Sequence, residues 1–528
     1  MEVPFRFATV FKATLRPRFA RLGPSDKVNR MSVSRVHVVA LLVALAGLSA
    51  LAGLLVTRLE IAWLFAVVLG AIAVGMVFVD YRVGVVCLTV MLPWIWSPFV
   101  PQTYGFSLIN FLVFTSMASL FLRRASGRGQ KTAWLPPEMV WCYLLPIAVA
   151  AMIAWPYLPI GEMNFPPRLA GFPESTYAPV TFLKSKIVKP MFFVLYAFVL
   201  ANAVRDSKKP ERFLYAFGLS ALIPAVAIIG QVLDGVDVND RIHFLAGLGL
   251  QVNEYGTLLA LAAGPLLFIW AGTGPRVARI AAGAAFGVVS VATLMTASRG
   301  AMIAYLIIVA VWLVRRRKLT DLLLVLAAVA VLAIAVPEAA QERLVMGFDD
   351  LGATSASNRD DPLTKGRVAV WAALAPDFFK SPIWGNGLSS TGWNSAVSSG
   401  RMYVGHPHNL FLTILLDLGI LGGAAISYVF YRFGRTMVRL ASEPSLSPLM
   451  RDYFIGAFAA YVGMLIAAVT GGNYTPHPEQ TFMWFSLGFS FAYWKVAQAP
   501  RAGDASKKPF GMGVKRPKVQ QFGPGSPR

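Results

Sequence analysis

A repeated apolar run is the feature that most restricts what this chain can fold into. Such runs lie at 36–57, 60–79, 83–100, 106–122, 138–158, 187–204, 213–233, 249–271, 277–296, 301–314, 320–336, 409–431, 452–472 and 479–497. Most approach the roughly 18–20 residues that cross a bilayer as a helix. Some are short or contain proline, so about 12–14 spans are expected. The expected fold class is an all-α polytopic membrane protein. Composition agrees, because 56% of the 528 residues are hydrophobic and 14% are charged, where a soluble chain carries roughly 25% charged residues.

The formal net charge is +22, and its distribution says what it is for. Lys and Arg gather in the tails and in every second link between runs: Arg123–Lys131, Arg205–Arg212, Arg276–Arg279, Arg315–Lys318 and Arg432–Arg451. Counted in order, these links share one side with both termini, and the positive-inside rule makes that side the cytoplasm. Anionic membrane lipid is the partner this pattern fits. No nucleic-acid motif accompanies the basic stretches, so no nucleic-acid partner is expected.

The other links then face outward: 101–105, 159–186, 234–248, 297–300, 337–408 and 473–478. The expected organisation is a basic cytoplasmic segment (1–35), a transmembrane bundle of about 11 helices (36–336), a large outward loop (337–408), C-terminal transmembrane helices (409–497) and a disordered basic tail (498–528). Residues 1–30 admit two readings. Phe7, Phe11, Leu15 and Leu22 recur at helical spacing among basic residues and suit the inner leaflet, or else Met31 is the first residue. No small-residue cleavage site marks a signal peptide. Cys87 and Cys142 lie inside apolar runs and suggest packing, with no disulfide framework and no metal site.

Candidate chemistry lies on the outward side. His243, His406, His408 and His477 fall there, as do Arg241, Arg299, Arg367 and Arg401, against the orienting trend. Cations so placed suggest an anionic ligand. Pro407 keeps Gly405-His406-Pro407-His408-Asn409 outside the following helix, for which Asn409 is a natural N-cap. The free N–H groups and dipole of such a helix start bind phosphate. A histidine beside it can take a proton near neutral pH. Thr296-Ala297-Ser298-Arg299-Gly300 repeats the device, with Ser298 as cap and Arg299 as phosphate contact. A third outward start opens near Gln251-Val252-Asn253-Glu254. Asp417 sits about 12 Å into its helix, where an acid is a functional candidate.

Plainer readings stand beside these. His408 can be an interfacial histidine bonded to loop carbonyls, and Arg299 a snorkelling residue at a span end. Trp371, Trp384 and Trp393 can simply anchor the loop. Asp417 can serve only to pair with a polar neighbour and hold its helix in place. No outward carboxylate cluster completes a histidine metal site at recognisable spacing.

Together these residues resemble the O-antigen ligase and O-antigen polymerase superfamily. The resemblance rests on His408-Asn409, nine residues, Gly419, two residues and Gly422, preceded by His406. Thr296 to Gly300, Gly366-Arg367 with Trp371, and Pro382-Ile383-Trp384-Gly385-Asn386-Gly387 resemble further segments of that family. It implies a glycosyltransferase C-like fold in the bacterial inner membrane, with the 337–408 loop periplasmic. It also implies an undecaprenyl-diphosphate-linked glycan as donor and a glycan or lipid A-core as acceptor. A flippase and a chain-length regulator are further partners it implies. His408 would activate the acceptor hydroxyl, while Arg299 and Arg367 hold the diphosphate, without metal or other cofactor. His406, Asn409, Ser298, Asn253, Arg241, Trp371 and Asp417 are the expected substrate-binding set, although the family more often has Glu where Asp417 stands. A polymerase of repeat units is the first expectation, a ligase the second. A small-solute transporter is the third, and the spans lack the buried charge pairs or twin broken helices of many coupled carriers.

Overall fold

The computed structural model describes residues 74–95, 97, 102–103, 106–127, 130–158, 179–236, 245, 248–320, 323, 327, 367–393 and 407–498. The chain divides into two units, Met1–Gly84 and Val85–Arg528, and the bundle below belongs to the second. Its helices are α1 (Leu108–Ala125), α2 (Pro137–Tyr157), α3 (Leu183–Asp206), α4 (Pro210–Leu233), α5 (Val252–Ala271) and α6 (Arg276–Met295). Then come α7 (Arg299–Arg316), α8 (Arg367–Phe378), α9 (Leu410–Ala441), α10 (Pro448–Thr470), α11 (Thr481–Ala492) and α12 (Trp494–Gln498). Among the described residues, α1 to α6, α9 and α10 are the eight helices long and apolar enough to cross a membrane. The chain is thus an all-α multi-pass membrane protein. The expected runs at 36–57, most of 60–79 and nearly all of 320–336 lie outside the described residues. A two-residue antiparallel ladder, Gln102–Thr103 against Phe106–Ser107, leads into α1.

Helix α5 is the most enclosed span, packed against α6, α7 and α10. Small residues let its backbone approach the neighbours, as membrane helices do where hydrophobic burial gives no drive. A Cβ on Gly264 would meet Gly456 O at 2.5 Å, and one on Gly463 of α10 would meet Ala304 O of α7 at 2.6 Å. Elsewhere aromatic rings fill the space. Phe217 of α4 lies 5.8 Å from Tyr453, 4.8 Å from Phe482 and 5.2 Å from Phe485, at angles that favour edge contacts.

Charge sorts the helix ends into two faces. On the basic face Arg124 pairs with Asp206 at 3.0 Å and Arg432 with Glu138 at 2.8 Å. Arg439 donates to the Ala497 carbonyl at 2.7 Å, and Asp452 accepts from Thr273 N–H at 3.0 Å. Each of these joins ends that the charge pattern assigns to one side. The starts of α5, α7 and α9, the end of α2 and the segments 381–393 and 471–480 belong to the other.

Candidate active site

Two helix starts on the second face share one local design. Ser298 caps α7 by accepting Ala301 N–H at 3.5 Å. Asn409 caps α9 more tightly, its Oδ1 accepting from Phe411 and Leu412 N–H at 3.0 Å each. The residue before each cap is left-handed: Ala297 has φ 45° and His408 has φ 51°. That conformation is costly for any residue with a Cβ and is found where the surroundings enforce it. In both places it turns the chain sharply into the helix, and the cap takes part of the first N–H groups. Arg299 follows the first cap and is half-buried, while His408 itself is half-buried beside the second.

Helix α9 is broken one-third of the way along. Gly419 takes φ 64° and ψ −167°, which ends the half-helix Leu410–Leu418. A break in mid-membrane strands backbone groups that must find partners. The segment 382–387 supplies them. Pro382 O and Ile383 O accept from Ile420 and Leu421 N–H at 2.8 and 3.2 Å, while Asn386 and Gly387 N–H donate to Leu416 O and Asp417 O at 2.8 and 3.1 Å. Only glycine fits at the seam, since a Cβ on Gly385 would strike the Asp417 carbonyl and one on Gly419 would strike Ile383 O and Gly385 N. The two motifs that sequence places far apart are thus two sides of one joint.

Asp417 secures that joint. Its carboxylate accepts from Ser389 N–H (3.0 Å), Ser390 N–H (2.9 Å), Ser390 Oγ–H (2.7 Å) and Tyr474 Oη–H (3.0 Å). It is 2% exposed. Four protein donors converge on it, and they tie the 389–390 turn and the 471–480 loop to α9. Burial, and after it the charge of Asp417, push the Tyr474 hydroxyl well above its ordinary range, which keeps it a donor. Thr470, the last residue of α10 and the one before the 471–480 loop, lies beside Gly300 at the start of α7. The end of α10 thus adjoins the Ser298–Arg299 start, while its following loop holds the half-helix Leu410–Leu418 through Tyr474.

Helix α8 lies along that half-helix, with Leu374 packed on Leu416 and Val370, Phe378 and Leu412 around them. Trp371 Nε1–H donates to Pro407 O at 2.8 Å, directly before His408. Arg367 is one turn earlier as the first residue of α8, at its His408 end. Asn253 is exposed in the first turn of α5, close to Ser298 through Gly256, whose Cβ would approach Ser298 Cβ at 2.8 Å. His406 and Arg241 lie outside the described residues, and so does the side chain of Arg367.

Two cavities adjoin these elements. One, of about 130 Å³, is lined by Tyr157, Asp377, Lys380, Asn386, Thr391 and Trp393 among others. Tyr157 and Trp393 stack beside it, 5.5 Å apart and 6° from parallel, and Asp377 pairs with Lys380 at 2.6 Å. The other is an apolar groove of about 560 Å³ between α2 and α3, lined by Ile147, Met152, Leu183, Ile187 and Val194, with Lys186 in its wall.

Of the cavity-lining residues, Tyr157 and Lys186 are not singled out by the sequence, and Asn386 is there only as part of its motif. The lysines at 184, 186 and 189 did carry a signal, being cations at an outward end. Nor does spacing along the chain join His477 to a carboxylate cluster, yet the fold does. Glu254 Oε1 lies 3.8 Å from His477 Nε2 and Glu479 Oε2 lies 3.9 Å from His477 Nδ1. Burial, with Glu254 adding to it, pushes Glu479 up to about 8; it stands in the turn ahead of α11.

No curated protein matches the chain. Residues 284–427, the segment carrying both the Ser298 start and the His408 half-helix, match the family model described as O-antigen ligase.

Proposed function

We propose that the protein is a glycosyltransferase of the bacterial inner membrane that joins undecaprenyl-diphosphate-linked oligosaccharide units into a surface polysaccharide. The second face is then periplasmic, and both termini are cytoplasmic. One observation carries the reading: the His408–Asn409 helix start, held at left-handed φ inside the matched segment. In this reading His408 takes the proton from an acceptor hydroxyl as its oxygen attacks the anomeric carbon. The bond from that carbon to the diphosphate oxygen breaks, and the electron pair leaves on the diphosphate. Arg299, Arg367 and those first N–H groups of α7 and α9 that the Ser298 and Asn409 caps do not take stabilise that charge, which is commonly the largest catalytic effect. These cations neutralise the leaving group, so the transfer step requires no metal.

The cavities suit the two halves of such a substrate. The groove between α2 and α3 has the apolar lining a polyprenyl tail needs, with Lys186 to meet the diphosphate. The polar cavity at Tyr157 and Trp393 has the size of a sugar ring, with Asp377, Lys380 and Thr391 to address hydroxyls. A second reading, a ligase moving finished glycan to lipid A-core, is favoured by the description of the matched family.

Purified protein given a synthetic undecaprenyl-diphosphate oligosaccharide separates the readings. Polymerase activity gives a ladder of multiples that disappears in His408→Ala. Transfer only when lipid A-core is added means a ligase. Near-normal activity in both His408→Ala and Arg299→Ala, at normal expression, would sink the mechanism.

A further inference from the structure

The cluster at His477 lies outside the chemistry just proposed and has its own geometry. Glu254 stands in the first turn of α5, where its Oε2 accepts the Gln251 N–H at 2.8 Å and completes a reciprocal cap. That bond fixes the side chain and leaves Oε1 toward the imidazole. Glu479 comes from the Pro478–Gln480 turn and is 7% exposed. One ligand-capable atom from each of the three residues can be chosen so that all lie within 4.8 Å of one another.

The separations of 3.8 and 3.9 Å are too long for hydrogen bonds between ring and carboxylate. They run to opposite ring nitrogens, so an ion would take one of the two, and the set of one ligand atom per residue within 4.8 Å is what lets both carboxylates approach the same ion. Charge points the same way. Among the described residues, the ion pairs of Glu254 and Glu479 are with His477 alone, so two enclosed carboxylates face a single imidazole. Enclosed carboxylates without matching positive charge are held by protons or by metal ions. One imidazole and two carboxylates form a mixed nitrogen and oxygen set. Calcium and magnesium prefer oxygen alone, whereas zinc and manganese accept both.

We propose that Glu254, His477 and Glu479 form a site for a divalent transition-metal ion of the zinc or manganese class, which ties the start of α5 to the loop ahead of α11. The ion is a brace. The loop 471–480 that it holds is the one whose Tyr474 grips Asp417, so the site sets the far anchor of the α9 joint. The site is independent of the transferase reading, because it is defined by binding and not by turnover.

The test uses the full-length protein in lipid nanodiscs, stripped with a chelator. Zn²⁺ is titrated calorimetrically, and Co²⁺ is followed by its visible absorption as a report of geometry. The expected result is saturable binding of one ion per chain and a higher thermal midpoint with Zn²⁺. Glu479→Gln and His477→Gln should each weaken binding by about tenfold or more while remaining monodisperse. Glu254→Gln keeps an oxygen for the cap and serves as the variant least disturbing to folding. Absence of saturable binding in the wild type overturns the site. So does unchanged affinity in all three variants, which would place the ion elsewhere.

Discussion

The starts of α7 and α9 are built alike and supported differently. Each places a left-handed residue before a side-chain cap, yet Ala297 is 1% exposed and His408 is half-buried. Helix α7 then continues unbroken to Arg316, whereas α9 is interrupted at Gly419 and rests on the 382–387 segment. The first start is a fixed platform that presents Arg299. The second is a separately supported half-helix that presents His408. In the proposed mechanism, a shared turn geometry would serve electrostatic holding in one place and proton transfer in the other.

The contrast is sharpest in activity. His408→Ala should lower transfer by about 10²–10⁴-fold, the usual loss of a general base. Arg299→Ala should lower it by about 10²–10³-fold, as for one charge-stabilising donor. Product yield from a lipid-linked oligosaccharide measures both, and equal small losses would break the division of labour. Next is the joint, which only α9 has. Gly419→Ala should destabilise by about 3 kcal/mol or more, through positive φ and the clash with Ile383 and Gly385. A shift of the unfolding midpoint in micelles reads this, and a neutral result would mean that the joint yields.

Asp417→Asn turns one acceptor into a donor facing Ser390 or Tyr474 and should cost about 1–3 kcal/mol. Loss of transfer should accompany it only as far as the half-helix loosens. Caps give the smallest effects. Asn409→Ala should cost about 1 kcal/mol and Ser298→Ala about 0.5 kcal/mol, because the serine bond is longer. Ala297→Gly, in contrast, should stabilise by about 0.5 kcal/mol, the relief of left-handed strain exceeding the added freedom of the unfolded chain.

Much of this was legible in the residues. Hydrophobic length announced the spans, and Ser298 and Asn409 announced their caps, because helix-start chemistry is local. The basic links group helix ends on one side, and the Arg124–Asp206 pair joins two of those links. What could not be read was long-range pairing. Pro382 to Gly387 was recognisable as a motif, yet its role as the partner of a broken helix depends on backbone hydrogen bonds that no spacing encodes. Asp417 stands out in the sequence as an acid deep in a span, but its convergence with Ser389, Ser390 and Tyr474 is a long-range contact that no spacing encodes. The same holds for Glu254 and His477, which meet only because α5 sits against the 478–480 turn.

The seam at Gly419 also sets the unit in which this region can be exchanged between related chains. Residues 416–421 and 382–387 complete each other's backbone bonding, and the backbone of each segment excludes a side chain at the glycine of the other, Gly385 or Gly419. A chimera that imports α9 alone brings a helix with no counterpart for its interrupted turn. One that imports 381–421 as a block carries both halves of the fitting, and recombination breakpoints that preserve function should fall outside that interval.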